Sequence, residues 1–200
     1  MKNLNTKKII LASQSPRRRE LLENACISFE IIPSKINEKN IKNNNPDQLV
    51  RTLSNLKAKN IAEQHPDTWV LGADTIVCIN NTILEKPDSK TNAAHMLKAL
   101  SNREHIVFTG FTLLCLDKNR TITKTVQTKV YFKRLSNQEI NWYLDTDEYA
   151  DKAGAYAIQG KGSFLVKKII GSYTNVVGLP ISEVIECLIA ENIISFKNNY

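Results

Sequence analysis

A serine and a proline followed by three arginines open the first stretch that could do chemistry, Leu11-Ala-Ser-Gln-Ser-Pro-Arg-Arg-Arg-Glu-Leu-Leu22. Ser15 before Pro16 predicts a helix start, with serine as N-cap and proline in the first helical position. Arg17, Arg18 and Arg19 then stand at the positive end of the helix dipole, where acids are favoured. Each misplaced cation there costs about 0.3–1 kcal/mol. A bound anion reverses the argument, because free N–H groups and guanidinium forks would converge on it. A solvated basic turn is the alternative; the phosphate site is the preferred reading.

Asp74 sits inside the apolar run Trp69-Val-Leu-Gly-Ala-Asp-Thr-Ile-Val-Cys78. A carboxylate in a buried strand is costly unless it is paired, hydrogen-bonded or metal-bound. It is a candidate general base or metal ligand, and equally one half of a structural salt bridge. Lys57 falls in register with Leu53 and Ile61 on a helical stripe, where a lysine commonly snorkels to solvent. Lys86 stands just ahead of a further helix start. With the arginines and Asp74, these lysines describe a site for a polyanion and a divalent cation. In Lys152-Ala-Gly-Ala-Tyr-Ala-Ile-Gln-Gly160 small residues permit close backbone approach to a ligand. Gln159 carries donors and an acceptor that can read a nucleobase edge. A glycine-rich turn beside a core strand is the other reading of this stretch.

The elements that must position these residues alternate between strand and helix periods, as an α/β or mixed α+β fold would. Residues 8–12 and 29–33 predict short strands, and 69–79 predicts a strand buried on both faces. Residues 106–116 and 122–132 predict a hairpin across Asp117-Lys118-Asn119. Helices are expected from Pro16, over 47–64, over 92–100, and from Ser136 to Leu144, where Ser136 and Glu139 make a capping box. A closing helix runs through Cys187 and Leu188. Asn80-Asn81 marks a turn, the asparagine-rich stretch 37–47 an exposed loop, and 153–180 a glycine-rich aromatic segment.

Two hundred residues, 42% apolar and 24% charged, suit one α/β domain, of one or two lobes, with a sizeable core. No apolar run reaches the length of a membrane span. The polar, basic start leads into a strand too short for a signal-peptide core, which predicts a cytoplasmic protein. Cys26, Cys78, Cys115 and Cys187 are widely spaced, without CxxC pairs or histidines at zinc spacing, so free thiols are expected. The formal net charge of +7 suits nucleic acid and a phosphate-rich small substrate equally.

Four segments in order resemble the Maf family of nucleotide pyrophosphatases: Leu11 to Arg18, Gly72-Ala-Asp-Thr75, Lys152 to Gly160, and Gly171 through Asn175-Val-Val-Gly-Leu-Pro180. Lys86-Pro87 and His105-Ile-Val-Phe-Thr-Gly110 fall between them as the family pattern expects. The resemblance covers nearly the whole chain as a single catalytic domain, 1–200. It implies a mixed α/β fold of two lobes around a cleft, similar to inosine triphosphate pyrophosphatases. It also implies hydrolysis of a nucleoside triphosphate between the α and β phosphates, with a divalent metal, magnesium or manganese. Asp74 matches the family's proton acceptor. Arg17, Thr75 and Gln159 match the positions that set substrate choice in the dTTP/UTP branch; the 7-methyl-GTP branch carries a glutamate where Gln159 stands. The family's usual Asp-Glu pair is Asn37-Glu38 here, so Glu38 alone keeps the metal- or water-positioning role.

On this reading Arg17, Arg18, Lys57 and Lys86 hold phosphates, Ser13 adds hydroxyl or backbone contacts, and Asp74 activates water or shares the metal with Glu38. A homodimer is left open. The rival is a nucleic-acid-binding or septum-formation regulator without important catalysis. Its basic residues would be scattered and no binding-module motif accompanies them.

Overall fold

In the computed structural model, which describes residues 5–38, 41 and 43–195, the first strands and helices are set by local signals. The strands are β1 (Asn5–Thr6), β2 (Ile9–Leu11), β3 (Glu30–Ile31), β4 (Trp69–Ile79), β5 (Thr82–Leu84), β6 (Glu104–Cys115), β7 (Arg120–Phe132), β8 (Val166–Ile170) and β9 (Ile194–Ser195). The helices are α1 (Pro16–Asn24), α2 (Pro46–Ala62), α3 (Lys90–Leu100), α4 (Asn137–Leu144), α5 (Tyr173–Val177) and α6 (Ile181–Ala190).

Helices α1 to α4 each begin where the sequence places an oxygen-bearing cap. Ser15 Oγ accepts from Arg18 N, with Pro16 in the first turn. Asn45 Oδ1 accepts from Gln48 N, again followed by proline and then by Asp47. Ser89 Oγ accepts from Asn92 N, two residues earlier than the start expected for α3. Ser136 and Glu139 close the expected capping box on α4.

The main sheet runs β3-β2-β4-β6-β7-β8, with β5 beside β4. The chain divides into two compact units: Met1–Asp74 with Thr109–Thr125 and Gly178–Tyr200, and Thr75–Phe108 with Val126–Val177. In the first unit β2 pairs in parallel with both β3 and β4, Ile10 standing opposite Glu30 and Val70. Its core gathers Ile9, Leu11, Leu22, Trp69, Leu71, Phe111, Leu113, Val184 and Leu188. A second cluster, Ile10, Ala58, Ile61, Val70 and Leu114, lies under α2. β1 and β9 form a short antiparallel pair that the sequence did not predict.

In the second unit Asn80 and Asn81, both at positive φ, make a two-residue hairpin, and Ile79 pairs with Thr82. The turn was expected; the short β5 behind it was not. Within the stretch read only as a glycine-rich segment, β8 pairs antiparallel with β7 and α5 follows. Val77, Leu97, Leu100, Val107, Phe132, Tyr143 and Leu165 form this unit's core. The loop expected over 37–47 gives way to α2 at Pro46, and residues 39, 40 and 42 of it lie outside the described residues.

Candidate active site

β4 alternates its side chains, so Gly72 and Asp74 share one face. α2 lies directly on that face: a Cβ at position 72 would stand 2.3 Å from Ser54 O and 2.7 Å from Ala58 N. Only a glycine admits a helix backbone this close. Ser54 Oγ, itself buried, adds a 3.0 Å hydrogen bond to Thr112 Oγ1 on β6. With the helix so seated, Lys57 reaches Asp74, and Nζ donates to Oδ1 at 2.7 Å. Glu38 Oε1 stands 3.1 Å from the same ammonium. Lys57 and Asp74 are each 8% exposed. The lysine does not snorkel to solvent, because a buried carboxylate facing it makes the inward rotamer the favoured one.

Arg18 also turns inward. Its Nε donates to Gly178 O at 2.9 Å and its Nη1 to Ser13 Oγ at 3.1 Å. Ser15 N donates to that same Ser13 oxygen. Both contacts use lone pairs of the Ser13 hydroxyl, whose proton is suited to an anion. Burial lowers the pKa of the Arg18 guanidinium, Asp74 and Glu38 oppose that shift, and Arg17 adds to it. Arg19 pairs along the helix with Glu23 at 3.2 Å. The cations that stand against the helix dipole are thus not left bare: Arg18 is held by Ser13 and Gly178, and Arg19 by Glu23. Arg17 is half-buried on the same turn. The first unit therefore brings together Ser13, Arg18, Glu38, Lys57 and Asp74.

Two carboxylates converging on one ammonium offer hard oxygen donors, the kind that magnesium and manganese take together with substrate phosphates. Among the described residues no group of three or more His, Cys, Asp or Glu side chains forms a ready-made metal cage.

Thr75, Lys86 and Gln159 belong to the second unit. Lys86 is exposed, while Thr75 and Gln159 are half-buried. Gly154 N donates to Glu85 O, so the 152–160 segment lies beside the chain that carries Lys86. Tyr156 Oη and His105 Nε2 share a 2.8 Å hydrogen bond, with Phe132 packed edge-on against both rings. Burial pushes His105 down to about 4, Glu104 weakly opposing, and raises Tyr156. Asn175, fully buried, donates to Val107 O and Thr128 Oγ1, which ties the Gly171–Pro180 motif to β6 and β7. Residues 171–177 of the motif are structural in this unit, while its Gly178 is the residue of the first unit whose carbonyl holds Arg18.

The sequence reading did not single out Tyr143 or Glu148. Tyr143 Oη accepts from Ala157 N, and the Glu148 carboxylate accepts from Lys161 N and Gly162 N. Both flank Gln159, and neither carries a sequence signal beyond its residue type. Cys26 is exposed and the other three cysteines are buried, all as free thiols. No helix among the described residues is long and apolar enough to cross a membrane.

A family model described as Maf-like protein matches residues 8–191. A dTTP/UTP pyrophosphatase of Syntrophus aciditrophicus (strain SB) is 50% identical, over 92% of this chain and 89% of that protein. One from Clostridioides difficile (strain 630) is 48% identical over 87% of this chain and 90% of its own. One from Bacillus velezensis is 46% identical over 94% and 98%. Among solved structures, a HAM1 protein from Coxiella burnetii aligns with 64% of this chain and 74% of its own at a TM-score of 0.45 and 17% identity.

Proposed function

Because the chain belongs to the Maf-like protein family, we propose that it is a nucleoside triphosphate pyrophosphatase acting on dTTP and UTP, including modified uridine triphosphates. The observation that carries the reading is the buried Asp74 bonded to Lys57 of α2, with Glu38 on the same ammonium and Arg18, held by Ser13, nearby. The dTTP/UTP pyrophosphatases that are 46–50% identical to this chain support it.

In the proposed mechanism Lys57 engages Asp74 Oδ1, so Oδ2 receives the proton of the attacking water. A general base in this position contributes about 100- to 10,000-fold. The hydroxide so formed displaces pyrophosphate by cleavage at the α–β linkage, leaving the nucleoside monophosphate. Charge grows on the phosphoryl oxygens and the leaving group, and preorganised cations are the largest source of stabilisation there. Arg17, Arg18, Lys57 and Lys86 are the proposed cations, with the Ser13 hydroxyl as a donor. Glu38 and Asp74 are the residues that would hold a divalent cation, magnesium or manganese, which when bound supplies charge neutralisation of the phosphates.

Gln159, with Arg17 and Thr75, is proposed to choose the base. Its amide accepts from the ring N–H and donates to the neighbouring carbonyl of uracil or thymine. The protein is proposed to act in the cytoplasm as one catalytic domain, and a homodimer fits this reading. The test is a panel of nucleoside triphosphates with magnesium or manganese. UTP and dTTP should be turned over most efficiently; faster turnover of GTP or 7-methyl-GTP would refute the substrate assignment. Steep loss of nucleic-acid affinity with salt, alongside no turnover, would favour the regulatory reading instead.

A further inference from the structure

Uracil and guanine present the same pair to an amide, a carbonyl acceptor beside a ring N–H donor. An amide that reads this pair cannot by chemistry alone prefer UTP to GTP. The purine ring carries its pair farther from the sugar than a pyrimidine does. Discrimination therefore depends on how firmly the amide is held at one distance, which is a property of the backbone that bears it.

The backbone around Gln159 is held on both sides from one region of the chain. Two residues before it, Ala157 N donates to Tyr143 Oη at 3.2 Å. After it, Lys161 N donates to Glu148 Oε2 at 2.9 Å and to Oε1 at 3.2 Å, and Gly162 N donates to Oε2 at 3.3 Å. Between these anchors Gly160 takes a φ of +62°, and a Cβ there would stand 2.9 Å from Glu148 Oε1. Glycine thus serves twice, accepting the left-handed conformation and admitting the carboxylate. Glu148 is itself fixed: its N–H donates to Thr146 Oγ1, and that hydroxyl donates to Tyr143 O. The end of α4 and the turn after it form one hydrogen-bonded clasp on residues 157–162. A charged acceptor taking two successive backbone N–H groups is among the stronger neutral-donor arrangements.

We propose that Glu148 is a positioning residue for base selectivity, fixing the turn that carries Gln159 so that its amide meets a pyrimidine edge and stands in the way of the longer purine. This inference rests on the proposal that Gln159 reads the base.

Glu148→Gln keeps the shape and one acceptor oxygen but sets an amide N–H₂ against a backbone donor. The full chain carrying it is compared with wild type and with Gln159→Ala by UTP and GTP kinetics and by amide hydrogen exchange. The expected result is faster exchange at Lys161 and Gly162, and a UTP-to-GTP efficiency ratio about tenfold lower, since one lost hydrogen bond to a charged group amounts to roughly a factor of ten. The change should enter through KM for UTP more than through kcat. A merely structural role would lower both nucleotides together and leave the ratio alone, and that outcome overturns the proposal. Unchanged exchange at both amides overturns it too. If Gln159→Ala also leaves the ratio unchanged, base reading by Gln159 falls, and this inference with it. If Gln159→Ala shifts the ratio and Glu148→Gln does not, only the role of Glu148 is refuted. Glu148→Asp, one methylene shorter, should lie on the same side of wild type as Glu148→Gln.

Discussion

Gly72→Ala adds a single methyl group, yet it strikes the contact on which the whole first-unit site depends. The new Cβ would lie 2.3 Å from Ser54 O and 2.7 Å from Ala58 N. Ordinary contact begins near 3.4 Å, so α2 must withdraw by about 1 Å along its length over β4. The opposing atoms are helix backbone and cannot rotate away. Overpacking of this kind costs about 1–3 kcal/mol. At roughly 2–4 °C per kcal/mol for a chain of this size, the melting midpoint should fall by about 2–12 °C. The same withdrawal stretches the 2.7 Å bond from Lys57 to Asp74, so turnover should fall by more than the stability loss alone explains. Thermal unfolding followed by circular dichroism, with UTP kinetics well below the midpoint, reads both effects. A variant with an unchanged midpoint and wild-type kinetics would refute the claim that α2 seating builds the site.

Three further outcomes are expected. Lys57→Met leaves Asp74 and Glu38 without their shared ammonium; breaking a buried pair costs about 3–5 kcal/mol, and Lys57→Met/Asp74→Asn should recover part of the lost melting temperature. Gln159→Glu turns a negative charge toward the pyrimidine carbonyl, so its efficiency on UTP and dTTP should drop about 10- to 100-fold more than on a guanosine triphosphate; an unchanged ratio refutes base reading. His105 titrates at about 4 in the fold against an ordinary 6.5, because burial favours the neutral ring. Protons therefore go preferentially to the unfolded chain between these values. Its contribution is complete above about pH 6.5, is lost as pH falls to about 4, and amounts to roughly 3 kcal/mol. Urea midpoints measured across that window should slope in wild type and flatten in His105→Gln.

The sequence displayed those parts of the fold that rest on local rules. Ser15-Pro16, the Ser136–Glu139 box and the unbroken apolar run of β4 each predict an element that the structure contains. β5, β8 and the β1–β9 pair were not legible, since each is short and exists through pairing with a longer partner rather than through its own periodicity. For the site, residue types pointed to Asp74, Lys57, Arg18 and Ser13, while their mutual contacts did not show. A lysine on an apolar stripe has the same sequence signature whether it snorkels or turns inward. The choice is made by Gly72, fifteen residues away, which seats α2 against Asp74. Glu148 left no trace because a carboxylate that binds backbone looks, in sequence, like any surface glutamate.

Cleavage between the α and β phosphates, with Asp74 as the proton acceptor, can be followed by phosphorus NMR of UTP incubated with the protein and magnesium. Wild type should convert UTP to uridine monophosphate and pyrophosphate in equal amounts, and Asp74→Asn, assayed well below its lowered melting midpoint, should lose at least about 100-fold in rate. Release of uridine diphosphate and orthophosphate, or near-normal turnover by Asp74→Asn, would contradict it.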